Sequence, residues 1–204
     1  MSTTSKRDDI EHFNRWSRTY EDSLLQRLFF DRVHQAVLNL IANRTEPRSI
    51  LDVGCGTGRL LRAARARWRG AELMGVDPAN GMVEVARQLT PGAIFYVGMA
   101  EALPLPDAAV DVALSTISFH HWKDQAAGLH EVTRVLRPDG YFFLTDVSVP
   151  AWLPRFIHQP RVHTPDHLRT LFMEAGLSVL MQQAVFSRYV LATVGVRSRE
   201  TDDR

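Results

Sequence analysis

The sequence predicts an α/β fold, a mostly parallel sheet with helices on both faces that finishes with a strand of reversed direction. Three observations carry that expectation. Short apolar runs alternate with helix-period segments between residues 49 and 147. A glycine-rich turn, Gly54-Cys55-Gly56-Thr57-Gly58, joins the first run to the helical segment behind it. The last two runs are separated only by Ser187-Arg188. Alternation of this kind implies parallel strands joined by helical crossovers, whereas a two-residue link allows only an antiparallel hairpin.

Residues 21–43 place Leu24, Leu25, Leu28, Phe29, Val33, Ala36, Val37, Leu40 and Ile41 on a helical period, so a long amphipathic helix comes first and ends near Pro47. A buried strand at 49–53 leads into a helix at 59–69. The stripe Leu60, Leu61, Ala64 and Trp68 faces its core side, which assigns Arg59, Arg62, Arg65, Arg67 and Arg69 to the solvated side. A strand at 72–76, a helix at 82–88 and strands at 93–97 and 110–116 follow. A helix over 124–136 stops at the turn signal Pro138-Asp139-Gly140, before a strand at 141–147. Thr164-Pro165-Asp166 reads as an N-cap with proline at the first helical position, opening a helix that Gly176 ends. Runs 177–186 and 189–196 make the hairpin.

With 204 residues, 45% of them apolar, and a net charge of +1, the chain has the make-up of one folded domain over 1–204 and not of a disordered one. Residues 10–43 form its N-terminal helical cap, and 1–9 and 198–204 are expected to be disordered ends. The near-neutral charge argues against a nucleic-acid partner. Cys55 has no second cysteine to pair with, which excludes a disulfide framework; it reads as a small residue filling the glycine loop. No apolar run reaches the length of a membrane span and no signal-like segment opens the chain, so a cytoplasmic location is expected.

The glycine turn follows a strand and opens a helix, where backbone N–H groups can approach a ligand. Asp77 ends the next strand 23 residues after Gly54, where a carboxylate can accept from both ribose hydroxyls of a nucleoside; the bland alternative is a turn cap before Pro78. The spacing is G-x-G-x-G. Arg59 stands where the dinucleotide fingerprint needs its last glycine, which disfavours a nicotinamide oxidoreductase.

The segments LDVGCGTGRLL, GVDPANGMVEVAR, AEALPLPDAAVDVALSTISFHHW and LRPDGYFFLTD resemble the successive motifs of class I S-adenosylmethionine-dependent methyltransferases, in particular the small-molecule branch that includes ubiquinone and menaquinone biosynthesis C-methyltransferases. The resemblance implies a Rossmann-like sheet of seven strands with one antiparallel, S-adenosylmethionine as cofactor and S-adenosylhomocysteine as product. It implies that Gly54 and Gly56 bind the methionine part, that Asp52 orients its amino group, that Asp77 holds the ribose and that Met82 packs on the adenine. Met99, Ala100 and Glu101 would form the other adenine wall, with Ser115 near the methionine end. Phe13 to Glu21 resembles the family's aromatic N-terminal segment, with Tyr20 closing over the cofactor. One position departs: relatives carry at 99 an aspartate that accepts from the adenine amino group, and a thioether cannot replace it.

Methyl transfer needs alignment and dryness, and a base only where the nucleophile must lose a proton. His120 and His121, just after the fourth strand, are the candidate bases, with loop packing as their alternative. His158, His163 and His167 suggest zinc, but a helix start at Thr164-Pro165 separates the last two, and no metal is expected. The apolar connector 148–163 reads equally as a lid for a hydrophobic or aromatic acceptor and as a homodimer contact. A small-molecule acceptor is expected. The rival reading is a cofactor-binding protein without catalysis.

Overall fold

Apolar strands separated by amphipathic helices can bury both sheet faces only by crossing over the sheet, and the chain does so. The computed structural model describes residues 11, 24–148, 161–185 and 187–198. Within them are β1 (Ser49–Val53), β2 (Glu72–Asp77), β3 (Ile94–Val97), β4 (Val110–Thr116), β5 (Leu136–Val147), β6 (Leu177–Ala184) and β7 (Val190–Arg197). The helices are α1 (Leu24–Ala42), α2 (Arg59–Arg67), α3 (Asn80–Leu89), α4 (Gln125–Val135) and α5 (Pro165–Glu174).

The strands form one sheet in the order β3-β2-β1-β4-β5-β7-β6. β1 to β5 are parallel, and β7 runs antiparallel to both β5 and β6. The reversed strand is last in the chain but not at the edge, because β7 inserts between β5 and β6. Period-two alternation divides the core. Leu61 and Val83 meet Ile50, Leu114 and Phe143 on the face covered by α1, α2 and α3. Leu129 and Phe172 meet Val53, Ala113 and Phe142 on the face covered by α4 and α5.

Several boundaries move for identifiable reasons. The Pro138-Asp139-Gly140 turn lies inside β5, since Leu136 pairs with Val110 before the register resumes at Tyr141 opposite Val112. Asp139 takes φ 63 at the tip of this bulge, and Arg137 behind it donates to Asp111 Oδ1 at 2.6 Å. α2 stops at Arg67 because Trp68 leaves helical geometry, its indole N–H reaching Glu46 Oε2 at 3.2 Å. The hairpin connection is 185–189, longer than Ser187-Arg188, and is closed by the Val185 N–H on Val190 O at 3.0 Å. The arginines of α2 do more than face water: Arg62 donates to Thr57 O at 2.6 Å, Arg65 to Gly92 O at 2.6 Å and Arg67 to Asn39 Oδ1 at 2.7 Å.

Gly128 in α4 lies under the Trp122 ring, where a Cβ would stand 2.4 Å from Trp122 Cε3. Helix propensity would favour alanine by about 1 kcal/mol, but forcing a methyl into a buried aromatic contact costs about 1–3 kcal/mol. Gly128→Ala is therefore expected to lose net stability, measured as a lower urea midpoint at unchanged m-value.

Candidate active site

The site is built where β1, β2 and β4 end and the chain turns over the sheet edge. Leaving β1, Gly54 takes φ 80, and a Cβ there would fall 2.1 Å from Ser118 Oγ. Ser118 needs that space, because its hydroxyl donates to Val53 O at 3.0 Å and ties the β4 exit to the glycine turn. Gly56, at φ 51, donates its N–H to Asp77 Oδ2 at 2.9 Å. The other Asp77 oxygen accepts the Ala79 N–H at 2.9 Å. The turn is thus held on both sides while its open face lines a cavity shared with Asp52, Asp77, Met82, Met99, Ala100, Glu101, His121 and Trp122.

Two carboxylates stand in this cavity, and their environments differ. Asp77 is 9% exposed; burial raises its pKa, opposed by the two N–H donors. Asp52 is 3% exposed, and none of the described residues donates a hydrogen bond to it. Burial, and secondarily the neighbouring Asp77, pushes its pKa up to about 8. A group in that state is held ready for an external cation, which would restore its charge. Burial, Asp77 and Asp52 also push up the Cys55 thiol, leaving it inert as a nucleophile.

The remaining expected residues separate. Met82 is buried at the cavity wall, and Met99 is 40% exposed beside it. Glu101 accepts the Asp124 N–H on Oε1 at 2.7 Å, while its buried Oε2 has no partner among the described residues. Ser115 does not line the cavity. It lies behind Ser118, the two hydroxyl oxygens 2.8 Å apart, and Ser118 forms the wall. The pleat explains this: Ser115 shares the face of Ala113, turned to α4, whereas Asp52 shares the face of Ile50, turned to α1–α3.

His120 and His121 part in the same way. His121 lines the cavity. His120 turns to Asp146 on β5, with Nδ1 at 2.7 Å from Oδ1 and its backbone N–H 3.0 Å from Oδ2. The two imidazoles remain neighbours, with ring centroids 4.0 Å apart. Sequence reasoning missed Asp146, although an acidic residue near the end of a strand is the same signal that singled out Asp77. It also missed Phe30, His34 and Thr116 at the cavity wall, for which no sequence signal exists beyond their place on α1 and β4.

His163 and His167 approach despite the intervening helix start, with centroids 4.7 Å apart. His163 Nε2 is engaged with Gln125 Oε1 at 2.7 Å, and burial followed by His167 holds its pKa down at about 4 against the pull of Asp146. Among the described residues, no group of three metal-ligating side chains comes together. Tyr20, the segment 13–21, His158 and most of the connector 148–163 lie outside the described residues. No helix among the described residues is long and apolar enough to cross a membrane.

A sequence profile described as a methyltransferase domain matches residues 51–144. An uncharacterized methyltransferase of Bacillus subtilis, YcgJ, is 36% identical over 157 residues, 73% of this chain and 58% of that protein. The demethylmenaquinone methyltransferase of Chlorobaculum parvum is 34% identical over 110 residues, 54% of this chain and 45% of its own length. The chain spans about half the length of these two relatives. Among solved structures, an S-adenosylmethionine-dependent methyltransferase from Mesorhizobium loti superposes with TM-score 0.68 at 20% identity, over 80% of this chain and 96% of that one, which bears on the fold alone. The chain belongs to the class I S-adenosylmethionine-dependent methyltransferases.

The residues present fit that family's cofactor on physical grounds. A buried carboxylate that receives no donor among the described residues suits the α-ammonium of a methionine, and a turn whose glycines leave no Cβ in the way suits close approach. A carboxylate already fixed by two N–H groups retains lone pairs for ribose hydroxyls.

Asp52 gives a test with a definite sign. A folded-state pKa raised from 3.8 to about 8 contributes stability below about pH 4 that is lost as pH rises to about 8. Asp52→Asn is expected to raise the thermal midpoint of the cofactor-free protein near pH 8 more than near pH 5, and to weaken S-adenosylhomocysteine binding. In the unsubstituted protein at neutral pH, binding should release a proton, seen by calorimetry in buffers of different ionisation enthalpy.

At the other wall, Met99→Asp restores an acceptor that the exposed thioether lacks. S-adenosylhomocysteine affinity is expected to rise about fivefold, the net value of one hydrogen bond of about 1 kcal/mol; calorimetric titration of the variant checks it.

Proposed function

We propose that this protein transfers a methyl group from S-adenosylmethionine to a small, hydrophobic or aromatic molecule. The observation that carries the reading is Asp52, a buried carboxylate to which no described residue donates, beside a glycine turn that is itself held by Asp77. When bound, S-adenosylmethionine supplies an electrophilic methyl on a sulfonium that departs as a neutral thioether. The protein's part is to orient and to exclude water. In this reading Asp52 pairs with the amino group, the Gly54 to Gly58 backbone flanks the methionine part, Asp77 takes the ribose, and Met82, Met99, Ala100 and Glu101 flank the adenine.

Small-molecule acceptors are favoured by the apolar side chains that share the cavity with these polar groups, Phe30, Leu60, Ile117 and Trp122 among them. The relative that acts on demethylmenaquinone by name points the same way. Where the acceptor must lose a proton, His121 is the base we assign, one of two imidazoles at the cavity wall with His34 of α1, and the one that follows β4. His120 then serves as its positioning neighbour, with Asp146 fixing Nδ1 as the donor and leaving Nε2 as the acceptor nitrogen.

Transfer of labelled methyl from S-adenosylmethionine to a panel of phenols, hydroxyquinones and small amines tests the proposal. Turnover of at least one class together with S-adenosylhomocysteine binding supports it; cofactor binding without any turnover supports the non-catalytic reading, and absence of cofactor binding ends both. With an acceptor in hand, His121→Ala is expected to lower kcat about 100-fold or more at unchanged cofactor affinity. Undiminished kcat would remove the base from the mechanism.

A further inference from the structure

Behind the cavity wall, one side chain joins the turn after β4, the start of α4 and the stretch that leads into α5. Gln125 is the first residue of α4, and its Nε2 donates to Phe119 O at 3.0 Å and to Arg161 O at 3.1 Å. Its Oε1 accepts from His163 Nε2 at 2.7 Å. The amide can take only one orientation here, because both carbonyls require its NH2 end and leave its oxygen for the imidazole. His163 therefore carries its proton on Nε2. Burial and His167 keep that ring neutral at neutral pH, so its Nδ1 is the bare nitrogen.

Each partner is tied further. Phe119 O also accepts the Trp122 N–H at 3.0 Å, and the buried Phe119 ring lies edge-on to Trp122 and to His163, with centroids 5.0 Å and 6.1 Å away. His163 O accepts from Ser148 Oγ at 2.9 Å, and the Ser148 N–H, just past β5, donates to Tyr189 O at 2.8 Å. The turn that brings His121 and Trp122 to the cavity is thus fastened from behind to α4, to the residues before α5 and, through them, to the end of β5.

Helix capping does not account for the glutamine. Asp124 supplies the cap by accepting the Ala127 N–H at 3.0 Å, and a carboxylate at position 125 would suit the positive end of the helix better than an amide. What a carboxylate cannot do is donate. Gln125 stands outside the cavity lining, whereas His121 and Trp122 belong to it, so Gln125 acts on the site through the turn it holds.

We propose that Gln125 is a positioning residue for the acceptor side of the cavity: by fastening Phe119 O to Arg161 O and His163, it fixes the turn that presents His121 and Trp122 to the methyl acceptor. The inference rests on the methyltransferase reading for the acceptor, but the positioning itself is read in the cofactor-free protein. The full chain is prepared with isotope-labelled histidine, and each Cε1–H signal in its NMR spectrum is assigned by replacing that histidine with asparagine. His163 is expected to show the Nε2–H tautomer. Gln125→Glu keeps the length of the side chain and an acceptor for His163 but loses both donated bonds; Gln125→Ala loses all three. Both variants are expected to shift or split the His121 signal, to leave the signal of His130 on α4 in place, and to leave S-adenosylhomocysteine affinity unchanged. With an acceptor from the panel, both should lower kcat about tenfold or more at unchanged KM for S-adenosylmethionine, the cost of misaligned reacting groups.

A His121 signal unmoved in both variants overturns the proposal, and a lowered thermal midpoint alongside it assigns Gln125 to the fold alone. A His121 signal that moves only together with that of His130 overturns it as well, since it reports a loosened helix; where Gln125→Ala does not fold, Gln125→Glu decides. Undiminished kcat in both variants has the same consequence. If S-adenosylhomocysteine fails to bind the unsubstituted protein while the His121 signal responds as expected, the methyltransferase reading falls and the positioning of the turn stands. If it binds and the signal does not respond, only the positioning role falls.

Discussion

Two carboxylates on neighbouring strands, Asp52 and Asp77, meet at one buried edge, and the site is arranged around keeping them different. In a low-dielectric position two like charges cannot both be carried cheaply. The chain resolves this by giving donors to one alone. Asp77 receives the N–H groups of Gly56 and Ala79, and Asp52 receives none among the described residues. The sharp glycine turn is the consequence: Gly56 can reach Asp77 only if Gly54 turns tightly against Ser118, with no Cβ between them. Ser118 in turn fixes where β4 ends and where the Phe119–His121 turn begins. One electrostatic conflict thus shapes three segments far apart in sequence.

The pleat of the sheet distributes the remaining chemistry. Asp52 and Thr116 project to the face covered by α1, α2 and α3, whereas Ser115 and Asp146 project to the face covered by α4 and α5. His120 follows Asp146 and is drawn off the cavity, leaving His121 at its wall. A pair of adjacent histidines is therefore divided between two environments: one imidazole is held by a carboxylate, and its neighbour stands at the cavity wall. α1 completes the arrangement by bringing Phe30 and His34 to the same cavity wall as Thr116.

What could be read in the chain follows from which interactions are local. Strands and crossover helices showed through period and turn residues, and the glycine turn with Asp77 showed through spacing. The Pro138-Asp139-Gly140 signal was a true turn, but Arg137 reaching Asp111 and Leu136 pairing with Val110 keep it inside a strand, a long-range effect that no local window contains. Ser115 was singled out where Ser118 lines the cavity, because the course of the chain at the β4 exit depends on contact with Val53, more than sixty residues away in sequence. Asp146 and Thr116 become informative only when the sheet order brings β1, β4 and β5 side by side.

The same logic explains why a folded domain would retain so many unsatisfied groups near one cavity. Asp52, the Oε2 of Glu101 and Thr116, all at its wall, each carry a cost that isosteric replacements would relieve, by about 1–3 kcal/mol for a neutral group. Spread at random, such costs would be eliminated as simple destabilisation; gathered at one edge, they describe a surface whose partners arrive from outside. Stability given up in the empty state is recovered as differential affinity once those partners are present. The polarity of the orphaned groups then outlines what is missing: a cation at Asp52, a donor at Glu101 and a hydrogen-bonding group at Thr116, all on one cavity wall.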